Sequence, residues 1–375
     1  MAVATLADGL ARTPDSALCH EVVHLREWGT DRIHVLPRAP FPDCLIGTSA
    51  AGELHLTDLH AARHARLRYR GRHWWIRDLG SAYGLRQDGV RCMEFLVEPG
   101  GEIGVGATTL IAESPHSIAL REFCGRMLGW TRGPAVVDHA LRAIRLAITR
   151  RAALVLCGEA ELILVAYALH RRSLGVDAPF VACDPRRQSL PASVRSPANH
   201  NTGMVALEAA AWGTVCVNSV RSPRDLAALI ARLHEPDPPA QLVVCLSRSD
   251  RGLKRGVILA GHVPIEVPSL RDRASELPRI VEEYAAEAMT ALHAPAWAFA
   301  ASDLQWVIEH AATSLDEIEK ATLRVVALNM SLGNYSAAAE RLGMAQPSLA
   351  RWLRFRPYLR LASAAGDRAP HGATS

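Results

Sequence analysis

Three stretches of this chain hold residues whose types and spacing belong to known chemistry. His20-Glu21-Val22-Val23-His24 has the His-Glu-x-x-His order of zinc hydrolases. That chemistry needs a helix, which stacks both imidazoles on one face, and a third ligand elsewhere. The neighbours Val22, Val23, Leu25, Trp28, Ile33 and Val35 predict a strand instead, with no third ligand downstream. On a strand, residues four apart stand about 13 Å from each other, so no metal site is expected. The second stretch is Gly158-Glu159, between the apolar run Leu154-Val155-Leu156-Cys157 and an amphipathic helix ending in His170-Arg171-Arg172. Strand, glycine turn and helix form the architecture of a phosphate-binding loop, in which backbone N–H groups and a helix N-terminus face an anion. A working loop adds further glycines, a Lys for the phosphates and a Ser/Thr hydroxyl for the metal. Here Ala160, Glu161, Leu162 and Ile163 follow, an acid and bulky apolar groups where phosphate would sit. The third stretch is C-terminal. A helix from Gln346 would carry Leu349 and Leu353 inward and Gln346, Ser348, Arg351 and Arg354 outward, after a tight turn at Leu342-Gly343-Met344. That is helix-turn-helix geometry. Gln346, Ser348 and Arg351 are candidates for base or phosphate contact, and Arg354 and Arg356 for phosphate.

The elements that must position these groups are read from composition and period. The chain has 375 residues, 49% of them hydrophobic and 21% charged, ordinary for a globular protein with room for two or three domains. A net charge of +4 makes no global basic field, so any polyanion site is local. No apolar run reaches the ~18 residues of a membrane span, and the N-terminus has no basic start followed by an apolar core. The scattered cysteines, among them Cys157, Cys216 and Cys245 in apolar runs, read as buried reduced thiols of a cytoplasmic protein.

In chain order, residues 1–17 are small and polar and read as a disordered N-terminus. Short strands separated by Gly, Asp and Pro fill 18–114, including a hairpin of 65–69 and 73–77 around Arg70-Gly71-Arg72, which suggests a β-sandwich. Residues 115–150 read as a helical linker whose arginine stripe is a solvated face. From 151 to 275, strand candidates at 153–157, 179–183, 213–217, 241–246 and 263–267 alternate with helices, the mark of an α/β sheet. A helical lid spans 276–312, broken at His293-Ala294-Pro295-Ala296. At 313–358, Ser314-Leu315-Asp316-Glu317 reads as a capping box, and positions 315, 318, 322, 325 and 328–329 form a core-facing stripe ahead of the helix-turn-helix. Residues 359–375 read as a disordered tail.

Resemblances attach to three of these segments. Ile46-Gly47, Asp58, His64-Ala65-x-Leu67, Asp78-Leu79-Gly80-Ser81-x-x-Gly84 and Gln87-Asp88-Gly89 resemble forkhead-associated (FHA) domains, which bind phosphothreonine peptides. The resemblance implies an Arg, a Ser and polar neighbours on the phosphate. Thr48 stands in place of that Arg, Ala61-Ala62-Arg63 in place of the Ser-Arg, and Tyr83 and Leu85 in place of an Asn and a Thr, leaving Arg63 or Arg66 as substitutes. The α/β segment resembles the AAA+ domain of sigma-54 activators, above all in Val263-Pro264-Ile265-Glu266-Val267-Pro268-Ser269-Leu270-Arg271-Asp272-Arg273. Set against that family, the phosphate-loop Lys and hydroxyl are absent and Asn218 and Ser219 replace the paired metal-binding acids. The sensor region reads Leu246-Ser247-Arg248, the sigma-contact loop is missing from 184–206, and Asp316 stands near the second-sensor Arg. Gly158, Glu159, Asn218 and Ser219 thus mark a degenerate nucleotide site. Finally, Gly333-Asn334-x-Ser336-x-Ala338-Ala339-x-x-Leu342-Gly343 resembles the Fis-type helix-turn-helix that ends enhancer-binding regulators, with Ala345 where a Ser/Thr cap is usual.

The expected fold is therefore multidomain: an all-β FHA-like sandwich, an α/β AAA+-like P-loop domain with helical lid, and an all-α helix-turn-helix. The expected function is a bacterial, sequence-specific DNA-binding regulator with an inactive AAA+-like module, no enzyme activity and no cofactor. Its partners would be double-stranded DNA, a protein met through the FHA-like domain and a second copy of itself, with no membrane. The alternatives are a phosphothreonine-peptide adaptor and an active sigma-54-activating ATPase.

Overall fold

A computed structural model describes residues 21–37, 43–48, 54–56, 63–159, 162–175, 177–191, 197–235, 237–247 and 263–356. Outside them lie His20, Asp58, Ala61, Ala62, Glu161, Arg248 and the terminal segments 1–17 and 359–375. The chain forms two compact units, Met1–Cys157 with Ala166–Glu266, and Gly158–Val165 with Val267–Ser375.

The first unit opens with a two-sheet β-sandwich. Its strands are β1 (His24–Glu27), β2 (Ile33–Val35), β3 (Asp43–Gly47), β4 (Leu54–His55), β5 (Ala65–Arg70), β6 (His73–Asp78), β7 (Leu85–Gln87), β8 (Val90–Cys92), β9 (Glu94–Leu96), β10 (Glu102–Val105) and β11 (Thr108–Glu113). They pair as β2-β1-β11-β10-β7-β8 and β4-β3-β5-β6-β9. Period-two alternation dictates the core: Leu25, Leu85, Ile103 and Leu110 from one sheet meet Ile46, Leu67 and Ile76 from the other, all buried. Each such side chain contributes roughly 1.5–3 kcal/mol. The β5–β6 hairpin turns on Gly71 (φ 57) and Arg72 (φ 69), the paired positive φ values of a two-residue turn that matches strand twist.

The segment after the sandwich departs from the expected solvated linker. It is two helices, α1 (Pro115–Leu128), capped by Ser114 and Ser117, and α2 (Pro134–Arg150). The polar residues of α2 face the first sheet rather than water. Asp138 takes Arg26, Arg142 takes Glu102, and Arg145 takes Asp88. The Arg142 guanidinium also lies 3.9 Å from the centre of the Trp28 ring. Opposite charges on the two surfaces, which local periodicity cannot reveal, make this stripe an interface.

Strands β12 (Leu154–Gly158), β13 (Phe180–Cys183), β14 (Ala198–His200), β15 (Thr214–Asn218), β16 (Gln241–Ser247) and β17 (Ile265–Val267) form a sheet in the order β14-β13-β15-β16-β12-β17. The pairs β13–β14, β13–β15 and β15–β16 are parallel. Their near-continuous burial is that of strands covered on both faces. Helices α3 (Leu162–Ser173), α4 (Gly203–Ala209) and α5 (Leu226–Leu233) alternate with the strands. Five strands follow the expected segments; β14, a short edge strand of Ala-Asn-His, has no apolar signature and was not expected.

The second unit holds α6 (Leu277–Ala291), α7 (Ala301–Ala311), α8 (Leu315–Met330), α9 (Tyr335–Arg341) and α10 (Gln346–Arg354). The helix break falls at Leu292, with His293 at φ 50. Ser314 caps α8 through the Glu317 N–H at 3.2 Å. The expected return bond from Glu317 is not made; its carboxylate takes Arg356 at 3.0 Å. Ile318, Thr322, Val325 and Leu328 of the expected stripe are fully buried, while Asn329 donates to the Ala298 carbonyl at 2.9 Å.

Candidate functional site

Polar groups gather at one end of the sandwich, where β5 begins and β6 runs into β7. His64 is buried, with Nε2 3.0 Å from the Ser81 hydroxyl and 3.3 Å from the Gly84 carbonyl oxygen. Ser81 Oγ donates to Asp78 Oδ1 at 2.6 Å and accepts from the Gly84 N–H at 3.0 Å. Because that hydroxyl proton is committed to Asp78, His64 Nε2 must carry the proton it shares with Ser81 and Gly84. The network orders Leu79–Gly84 through two left-handed glycines, Gly80 (φ 85) and Gly84 (φ 68). It also uses up Ser81, which is left as scaffold rather than anion ligand.

Among the described residues, few cationic groups lie beside this loop. Arg63 is exposed just before His64, and Thr48 is half-exposed after β3. Arg66, the other expected substitute, does not join them; it lies on the outer sheet face, 3.8 Å from Asp43, which Arg68 holds at 2.9 Å. The structure adds Arg91, whose Nε lies 2.7 Å from where a Cβ on Gly84 would stand. Sequence reading missed it. The signal was the Asp88-Gly89 turn, which folds β8 back along β7 in the register Arg86↔Arg91.

Three of the four residues expected to mark a degenerate nucleotide site, Gly158, Asn218 and Ser219, lie against other parts of the same chain. A Cβ on Gly158 would meet the Val267 carbonyl oxygen at 2.6 Å, so close strand approach accounts for this glycine without a phosphate. Glu159 is exposed. At the end of β15, Asn218 Oδ1 accepts from the Val220 N–H at 2.9 Å, while Ser219 is buried with no hydrogen-bond partner for its hydroxyl among the described residues. Asp184, a buried acid after β13, is taken by Arg221 at 3.2 Å. Its own backbone exchanges hydrogen bonds with the Asn199 side chain.

The third site is the terminal helix pair. The side chain of Asn334 caps α9 by accepting from Ser336 and Ala337 N–H groups. Gly343, at φ 59, reverses the chain, and α10 starts at Ala345 without a side-chain cap. Leu349, Trp352 and Leu353 are buried; Gln346, Arg351 and Arg354 are exposed, and Ser348 is half-buried. Trp352 was not among the expected core residues. It packs edge-on to Trp306 at 5.7 Å, with Arg324 4.6 Å from its ring centre. Arg356 stands apart from the outward set, because Glu317 and the His310 carbonyl hold its guanidinium.

The described His24 meets Glu113 at 2.6 Å, and no cluster of metal-ligating side chains occurs among the described residues. No described helix is long and apolar enough to cross a membrane.

No protein-family model matches the chain, and no curated protein matches it. Solved structures match over about its first quarter. One, an analysis of phosphothreonine-dependent FHA domain interactions, shares 23% identity over 24% of this chain and 95% of that one, with a TM-score of 0.23. Mycobacterium tuberculosis EmbR in complex with a low-affinity phosphopeptide shares 20% over 25% of this chain and 24% of that one, at 0.23. An FHA domain from Chlamydia trachomatis shares 17% over 24% and 95%, at 0.22.

Proposed function

We propose that this protein is a cytoplasmic bacterial DNA-binding regulator. In it, α9 and α10 act as a helix-turn-helix, the FHA-like sandwich takes a protein partner, and the AAA+-like α/β segment is a scaffold without ATPase activity. The observation that carries this reading is the split of α10 into two faces. Leu349, Trp352 and Leu353 are spent on packing, while Arg351 and Arg354, three residues apart on one stripe, make no ion pair among the described residues. Exposed arginines beside Gln346 suit bidentate contact with guanine and phosphate. Helix-turn-helix units act on paired half-sites, so a homodimer belongs to the proposal. The test is selection of bound duplexes from a random pool by the intact protein and by Arg351→Ala. A pseudo-palindrome enriched by the first and lost by the second is expected. Binding that fades with salt and carries no motif would leave phosphate attraction alone.

A second reading is favoured by the ordered His64–Ser81–Asp78 loop with Arg63 and Arg91 at its border: a phosphothreonine-peptide adaptor. A dianionic phosphate needs charge-assisted donors, and these two arginines are the candidates. Tighter binding of a phosphothreonine peptide than of its threonine form, abolished by Arg63→Ala with Arg91→Ala, supports it. Equal binding of both peptides would remove it.

A further inference from the structure

The sheet β4-β3-β5-β6-β9 gives one face to the sandwich core. Ala65 and Leu67 on β5 and Trp74 and Ile76 on β6 point inward, so the residues between them point out. Across the two central strands this outer face sets Arg66, Arg68 and Arg70 opposite Arg77, Trp75 and His73. Two features set it apart from an ordinary solvated face. Arg66 directly opposes Arg77, and like charges in cross-strand register destabilise a sheet. Among the described residues the acids nearby are too few to neutralise the row. Asp43 is shared by Arg66 and Arg68, and Glu94 stands in register with Arg77. The side chains of Arg70 and Arg77 are exposed and make no ion pair or hydrogen bond among the described residues.

Arginines recurring at every second residue of β5 are about 6.8 Å apart on one line, a spacing suited to following an extended phosphate backbone. Trp75, half-buried between Arg68 and Leu96 in register, adds an aromatic side chain in the same surface. A cationic track with an aromatic platform is how single strands are bound without sequence preference. A duplex hides its base faces, and an acidic peptide would satisfy the arginines while leaving the tryptophan without a role. We propose that the outer face of β5 and β6 binds single-stranded nucleic acid, with the arginines on phosphates and Trp75 stacking on a base. This surface uses no residue of α10 and stands independently of duplex recognition there.

The experiment uses the full chain carrying Arg351→Ala and Arg354→Ala, so that the exposed arginines of α10 contribute nothing, and a fluorescent single-stranded oligothymidylate read by anisotropy. Adding Arg70→Gln with Arg77→Gln should weaken binding about tenfold. It should also flatten the log–log salt dependence by about 1.4, two phosphate contacts at ~0.7 each. Both side chains are exposed and Arg77→Gln relieves the opposition to Arg66, so the melting temperature of this variant should not fall. Trp75→Leu should weaken binding while leaving the salt slope in place, as loss of stacking predicts. Affinity unmoved by the paired glutamines overturns the proposal. So does competition by polyglutamate as effective as by the oligonucleotide, which would make the face an acidic-protein dock, or binding of a duplex as tight as of the single strand.

Discussion

Arg26 is fully buried, and its guanidinium is divided between Glu113 on β11 and Asp138 on α2, at 2.9 and 3.0 Å. Burial alone would lower its pKa; hydrogen bonds and charge from Asp138 and Glu113 more than offset this and raise it above the usual arginine value. Asp138→Ala leaves Arg26 its Glu113 partner but removes the buried acceptor of its Nη1 and Nη2 donors and of the Gly29 N–H, so it should destabilise the first unit by about 3 kcal/mol. A urea midpoint shared with the parent protein would show the network to be idle. His170 provides a pH test. Burial lowers its pKa, partly opposed by its hydrogen bond to the Ala178 carbonyl at 2.8 Å. The folded state therefore binds its proton less readily than the unfolded chain does. Its contribution is complete above the unfolded value of about 6.5 and is lost as pH falls from there through the lower folded pKa. Thermal melts from pH 8 down to pH 5 should show this decline, and His170→Gln should flatten it. Neither group was legible as important in the sequence, because Arg26 and Asp138 are far apart in the chain and neither belongs to a motif.

Elements with a strong local period were legible. The β5–β6 hairpin, α2, the buried strands of the α/β sheet and the α9–α10 pair all occur within a few residues of their expected places, because alternation and helical period are properties of contiguous residues. Two substitutions in the terminal pair test its local physics. Gly343 has nothing within 4 Å of a would-be Cβ but sits at φ 59, so Gly343→Ala should destabilise by about 1–2 kcal/mol through backbone strain alone. Ala345 begins α10 in extended conformation with no capping bond, so Ala345→Ser should stabilise by about 1 kcal/mol. Both read out as opposite shifts in the melting of the helical unit. A loss of stability with Ser would mean that its hydroxyl cannot reach the free N–H groups. The capping box at Ser314 was legible only by half: Ser314 caps, but Glu317 finds a stronger electrostatic partner in Arg356.

At the scale of the whole molecule, the expectation to test is the absence of catalysis in the α/β segment. Phosphoryl transfer relies on positioning and charge stabilisation, and here Asn218 accepts from the Val220 N–H while Asp184 is engaged with Arg221 and the Asn199 side chain. Purified protein should release no phosphate from ATP above the buffer rate. Turnover that co-elutes with the protein and responds to Glu159→Ala would return the ATPase reading to the front. By itself, the sequence determined the kinds of segment and their order, since hydrophobic period and turn chemistry act over a few neighbouring residues. Only the tertiary structure decided which charges meet. It turned the α2 arginines from a solvated stripe into an interface, paired Arg356 with Glu317, set Arg66 beside Asp43, and brought Arg91 to the loop at Gly84. Ion pairing depends on distance in space, and that distance is set by strand register and packing rather than by separation along the chain.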